Sequence, residues 1–216
     1  MISNTQLSRS DDSHSGLIHL KSEFTYFDLK FANLSINVNG YITLGREASI
    51  KVLSSDSNLA NTAIIFPFLT DFDLRVSGTI LYKEERNPLI LKLIKLDTNL
   101  LDKNFEPNWS FIATWNRAPS HNYYQNSSIT NTFQVVLTTD GVKSFIVFNY
   151  GKLMFSNEYA KAGFYSGNYM NFYLDEYSNS KNLKNIMNRS NVNKSGVFIF
   201  QVDSSTKFKN LTLNSY

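Results

Sequence analysis

Asp71 and Asp73 stand one residue apart in the segment Thr70-Asp71-Phe72-Asp73-Leu74-Arg75, directly after the apolar run IIFPFL. Successive side chains alternate in extended backbone, so both carboxylates would project from one face. A carboxylate pair suits a hard cation such as calcium, which gathers about six to eight oxygen ligands. The sequence names these two ligands and no others. The competing use is structural: Arg75 and backbone N–H groups satisfy one or both carboxylates where the chain turns toward Ser77-Gly78. A glycosidase acid and base would have to flank a sugar from opposite sides of a cleft, which two neighbours on one strand do not do.

Other catalytic groups are scarce. Of the three histidines, His14 and His19 lie in or beside the polar N-terminal stretch and His121 lies in the polar loop SHNYYQNSS. A hydrolase built on Ser120 and His121 would still need a carboxylate partner and an oxyanion site. No phosphate-binding GxxxxGK[ST], no dinucleotide-binding GxGxxG after a strand and no HExxH zinc helix occurs. The absence of cysteine excludes disulfides, thiolate metal sites and a Cys nucleophile, and leaves the compartment open. The expectation is a protein that is not an enzyme, with no cofactor unless the carboxylates take calcium.

Trp109 and Trp115 are six residues apart, so strict alternation puts them on one face together with Phe111 and Ala113. Core packing is the first reading of that face. If exposed, it becomes a ligand platform on which sugars or partner side chains could stack. N-x-[ST] sequons occur at Asn33, Asn108, Asn126, Asn188, Asn193 and Asn210, close to the about five that chance supplies at this composition. Asn126, Asn188 and Asn193 fall in polar loops and are the expected glycan acceptors if the chain enters a secretory pathway.

The elements that must position these residues are strands. Hydrophobic residues make up 42% of the 216 and charged residues 18%, with 17 Phe and 12 Tyr, which favours pleated, half-buried surfaces. Asn131–Gly151 sets two apolar β-type runs around Asp140-Gly141, a dipeptide suited to a two-residue type I′ turn. Asn39-Gly40 asks for a second tight hairpin, and Thr79–Tyr82, Trp109–Trp115 and Ser195–Asp203 read as further strands. In the last of these Val197, Ile199 and Gln201 alternate with Phe198, Phe200 and Val202. Leu89–Leu101 reads as one short helix. Ser178–Lys194 reads as a solvated loop with one weak helical turn near Leu183–Met187. The fold class expected is mainly β, with sandwich-like antiparallel sheets and one or two short helices. Residues 1–15 read as a flexible lead-in, 16–203 as the domain and 204–216 as a tail.

The net charge of +3 comes without a dense Lys/Arg run, which argues against nucleic acid. No run of about 18 apolar residues argues for direct membrane insertion. The N-terminal MISNTQLSRSDDSHSG lacks the apolar core of a signal peptide.

Seven ordered pieces between Leu17 and Asp203 carry a resemblance: LSINVNGYITLG, FPFLTDFDLR, SGTILYKE, a Trp-rich strand ending in TWNRAP, the hairpin TTDGVKSFIVFNYG, the AGF-x-SG turn and the final strand GVFIFQVD. In that order they resemble the NIDO domain, the nidogen extracellular domain family of nidogen, alpha-tectorin and membrane mucins. Departures are Leu69, where an aromatic is common, and Val197, near which the family often carries Trp. The resemblance implies a non-enzymatic module, extracellular or at the cell surface, in a larger protein. Its partners would be matrix or cell-surface proteins and its process cell–matrix adhesion or matrix scaffolding. It transfers no binding residues. The alternative is a carbohydrate-binding or calcium-assisted lectin-like module using Asp71, Asp73 and the Trp109/Trp115 face.

Overall fold

A computed structural model of the chain describes residues 4–48, 62–123, 128–167 and 172–206. The strands are β1 (Thr5–Gln6), β2 (Ile18–Tyr26), β3 (Leu29–Asn37), β4 (Tyr41–Leu44), β5 (Ala63–Leu69), β6 (Thr79–Glu85), β7 (Trp109–Pro119), β8 (Thr130–Thr139), β9 (Ser144–Leu153), β10 (Lys161–Tyr165), β11 (Phe172–Leu174) and β12 (Val197–Gln201), with one α-helix, α1 (Pro88–Thr98). They form two six-stranded antiparallel sheets, ordered β1-β6-β7-β8-β9-β12 and β11-β10-β5-β4-β3-β2. Among the described residues no helix is long and apolar enough to cross a membrane.

Alternation along β7, β8, β9 and β12 divides their side chains between two cores. Trp109, Phe111, Ala113, Trp115, Phe133, Leu137, Phe148, Phe198 and Phe200 face the second sheet, where they meet Phe24, Leu34, Ile36, Ile65 and Phe68. The intervening Val136, Phe145, Val147, Val197 and Ile199 face outward and are covered by Leu91 and Ile94 of α1 and by Phe105. The period-2 pattern of β12 is thus used on both faces. Helix α1 begins where Asn87 accepts the Leu89 N–H through its side chain and Pro88 occupies the first turn. The segment read as a solvated loop contains a 3₁₀ helix, Leu183–Asn188, that buries Leu183 and Ile186 in the inter-sheet core.

Turn chemistry departs from expectation. Thr139 pairs with Ser144, so the β8–β9 connection has four residues rather than two. Gly141 has φ of +96° but Asp140 does not share a positive φ; its Oδ1 instead accepts from the N–H groups of Val142 and Lys143. The turn with both central residues at positive φ lies between β2 and β3, at Phe27 (47°) and Asp28 (67°), where Tyr26 pairs with Leu29. Asp is tolerated in that region, but a bulky Phe is uncommon there. The N–H groups of Phe27 and Asp28 donate to the carbonyls of Val202 and Asp203, and Phe27 is buried, so tertiary contacts hold the turn.

Residues 4–15, the described part of the segment read as a flexible lead-in, are tied down. Thr5 and Gln6 pair with β6, Leu7 is buried, and the Leu74 N–H donates to the Ser10 carbonyl. His14 then bridges Asn37, and Ser13 and Ser15 bond to Val38 and Ile36. Backbone pairing to both sheets supplies the ordering that the polar composition could not. Beyond β12, Ser205 donates to Asp28.

Candidate functional site

The TDFDLR segment follows β5 at one end of the sandwich. Phe72 fixes it there: its ring is fully buried against Phe68, Phe133 and Phe155, at centroid distances of 6.4, 5.7 and 5.7 Å. The Phe72 N–H donates to Asn39 Oδ1 at 2.9 Å, and its backbone bridges Ser120. Asn39 and Gly40 form the β3–β4 turn, and a side chain at Gly40 would meet the Phe68 carbonyl oxygen at 1.9 Å. Glycine is required there for close approach as well as for its φ of +83°.

This anchoring places Asp71 and Asp73 in different environments. The Asp73 carboxylate is fully buried and accepts from Arg75: the backbone N–H at 3.0 Å, Nε at 3.0 Å and Nη2 at 2.5 Å. Arg75 Nη2 also lies 3.0 Å from Asp11 Oδ2. His121 donates its backbone N–H to the Asp71 carbonyl, while its Nδ1 sits 3.3 Å from Asp11 Oδ1 and 4.0 Å from Asp73 Oδ2. Asp12 accepts from the Asn39 side chain at 2.8 Å. Two sets of donor atoms result, Asp11–Asp73–His121 and Asp11–Asp12–Asp71, each mutually within 4.8 Å.

Protonation follows from these contacts. The Arg75 hydrogen bonds hold the Asp73 carboxyl below its ordinary value. Burial pushes Asp71 up, reinforced by Asp12, Asp11 and Asp73 and opposed by His121. The hydrogen bond to Asp11 raises His121, with further support from Asp71 and Asp73. The grouping is an ionic junction between the N-terminal segment, the β3–β4 turn, the β5–β6 connection and the end of β7. Asp73, expected as a cation ligand beside Asp71, has its carboxylate engaged by Arg75, which is the structural use of the pair.

The Trp109/Trp115 face is not a platform. Both rings are fully buried; Trp115 stacks on Phe133 at 5.0 Å and 13°, and its Nε1–H lies 3.2 Å from the carbonyls of Asn37 and Val38. Trp109 Nε1–H donates to Glu84 at 2.7 Å. Asn188 and Asn193 are exposed, and Asn126 lies outside the described residues.

Sequence reasoning missed Asp11 and Asp12, whose only signal was the SDD run inside a polar stretch. It also missed a second clamp. Asp175 is buried and accepts from Arg189 Nη1, which lies 3.0 Å from both carboxylate oxygens, from the Tyr177 N–H and from the Tyr173 hydroxyl. The guanidinium lies 4.4 Å from the centre of the Tyr177 ring.

Two facing antiparallel sheets, a buried aromatic strand and an end held by ion pairs define a β-sandwich module. The family model of the nidogen-like (NIDO) domain matches residues 32–204, and the chain belongs to this family. It is 31% identical to alpha-tectorin of Gallus gallus over 93% of its length, 30% to alpha-tectorin of Homo sapiens over 93%, and 25% to nidogen-2 of Mus musculus over 95%. The matched region covers 10% of each alpha-tectorin and 17% of nidogen-2, so the chain spans a small part of these relatives. No solved structure gives a significant match. The domain is extracellular or at the cell surface, as in these relatives, where it is one part of a longer protein.

Proposed function

We propose that this NIDO domain is a non-enzymatic interaction module in cell–matrix adhesion or matrix scaffolding, with matrix or cell-surface proteins as partners. The observation that carries the reading is the match to alpha-tectorin and nidogen-2 along nearly the whole chain. The site supports it, since the side chains of Asp11, Asp12, Asp73 and His121 are engaged in joining four segments. The test is surface plasmon resonance of the domain against purified matrix glycoproteins, collagens and proteoglycans. Saturable binding to a protein component is the expected result; binding to free glycans alone would replace it with the lectin-like reading.

One observation favours a second reading: Asp11, Asp12 and Asp71 bring three carboxylate oxygens together. Calcium there would need about three or more further oxygens from other groups or water. Thermal unfolding in excess calcium and in EDTA separates the two, because a ligand bound to the native state raises Tm. The structural reading expects coincident curves. A calcium-dependent rise abolished by Asp71→Asn would make the junction a cation site.

A further inference from the structure

Helix α1 is apolar on two opposite faces. Leu91, Ile94 and Thr98 are buried, the two apolar ones against the outer face of the first sheet, while Leu89, Leu93, Leu96 and Leu100 are 74%, 59%, 60% and 48% exposed. Steps of four, three and four residues are the spacing of a heptad seam. At about 100° per residue they form one row, centred opposite the buried face. Leu100 extends the row just past the helix, where its N–H donates to the Asp97 carbonyl. A helix that is apolar on both sides calls for cover on both.

The charges beside the row select the cover. With Leu93 at position a and Leu96 at d, Lys92 falls at g and Asp97 at e. In a parallel pair of helices, g of one faces the e position five residues further along the other. Lys92 would therefore meet Asp97 of the partner subunit, and two-fold symmetry repeats the contact. An antiparallel pair sets g against g and e against e, bringing like charges together. Lys194 pairs with Asp97 through Oδ1, and the carboxylate has a second oxygen with which to meet Lys92.

We propose that the outer row of α1 is a self-association surface on which a second copy of this chain docks, the two α1 helices parallel and related by a two-fold axis. The groove beside the row, about 600 Å³ and lined in part by Pro88, Lys92, Leu96 and Pro107, extends the contact. Stable interfaces bury about 800 Å² per partner. A row of four leucines supplies only part of that, so the dimer is weak and depends on concentration. Such a contact gains strength when several copies are held in one assembly. This inference goes beyond the proposed adhesion role and does not depend on it.

The test is analytical ultracentrifugation of the chain from about 1 to 500 µM, a range that brackets weak association. The expected result is a shift from monomer to dimer mass. Leu93→Glu should stay monomeric throughout with an unchanged melting curve, because position 93 faces solvent in the monomer. K92D and D97K should each weaken association by about tenfold or more, because each sets like charges against one another at two symmetric contacts, and an equimolar mixture of the two should restore it. Because the chain has no cysteine, Leu96→Cys provides a clean orientation probe. Mild oxidation should cross-link it faster than Val142→Cys, an exposed loop control. A monomer at every concentration, a dimer unaffected by Leu93→Glu, or equal cross-linking of the two cysteine variants would each overturn the proposal.

Discussion

Asp73 and Asp175 are both fully buried aspartates gripped by an arginine, yet they belong to different kinds of site. Arg75, which holds Asp73, is shared with Asp11, and His121 stands between the two carboxylates. Arg189, which holds Asp175, is shared with the exposed Glu176 and lies over the Tyr177 ring, while Tyr173 and Tyr177 complete the hydrogen bonds. One clamp is embedded in a group of further acids, so its electrostatics respond to pH. The other is enclosed mainly by aromatic and backbone groups, with Glu176 at its exposed edge. The same local pair is set among like charges or among aromatic rings according to what the tertiary structure packs around it.

The largest expected effect is on the closed clamp. Asp175→Ala should cost roughly 3 kcal/mol, because it leaves a half-buried guanidinium with only the exposed Glu176 and removes the acceptor of the Tyr177 N–H and the Tyr173 hydroxyl. Chemical denaturation measures it. Asp73→Ala should cost less, roughly 2 kcal/mol, since the Arg75 side chain is 53% exposed and reaches water more readily than that of Arg189 at 31%. If the two losses were equal or reversed, the distinction between the clamps would fail.

Smaller still is the pH response of the open junction. His121 has a raised pKa in the folded protein, so its stabilising contribution is complete below its ordinary 6.5 and is lost as pH rises through the folded value. Asp73 has a lowered pKa, so its contribution is complete above 3.8 and is lost as pH falls through the folded value. Both contributions are complete between these two pH values. The natural chain is therefore expected to lose Tm as pH rises above 6.5, and His121→Gln should lessen that loss. A variant whose Tm falls as steeply as the parent's would remove His121 from the junction.

Much of the sandwich was legible. Alternation in β7 and β12 assigned each aromatic to its face, because a strand's period of two allows only two sides. The short helix expected in Leu89–Leu101, where apolar spacing fits strand and helix alike, forms at Pro88–Thr98, and the Asn87 cap that starts it went unread. Turn geometry was less accessible. Asp140-Gly141 marks a loop but not its length, since the Asp140 carboxylate caps two N–H groups and opens the turn. The type I′ geometry appears instead at Phe27-Asp28, which carries no such signal and is held by Val202 and Asp203.

The junction itself shows where sequence reading stops. TDFDLR announced two acids and an arginine, but Asp11 and His121 are 110 positions apart and meet only after both sheets have formed. Local patterning sufficed for the mainly β fold class and for strands such as β7, β8, β9 and β12, because periodicity acts over a few neighbours, while the family was carried by the order of seven pieces along the chain. Which carboxylate is clamped, which is surrounded by like charge, and that the tryptophans are sealed inside were decided by packing between distant segments, where no local spacing rule applies.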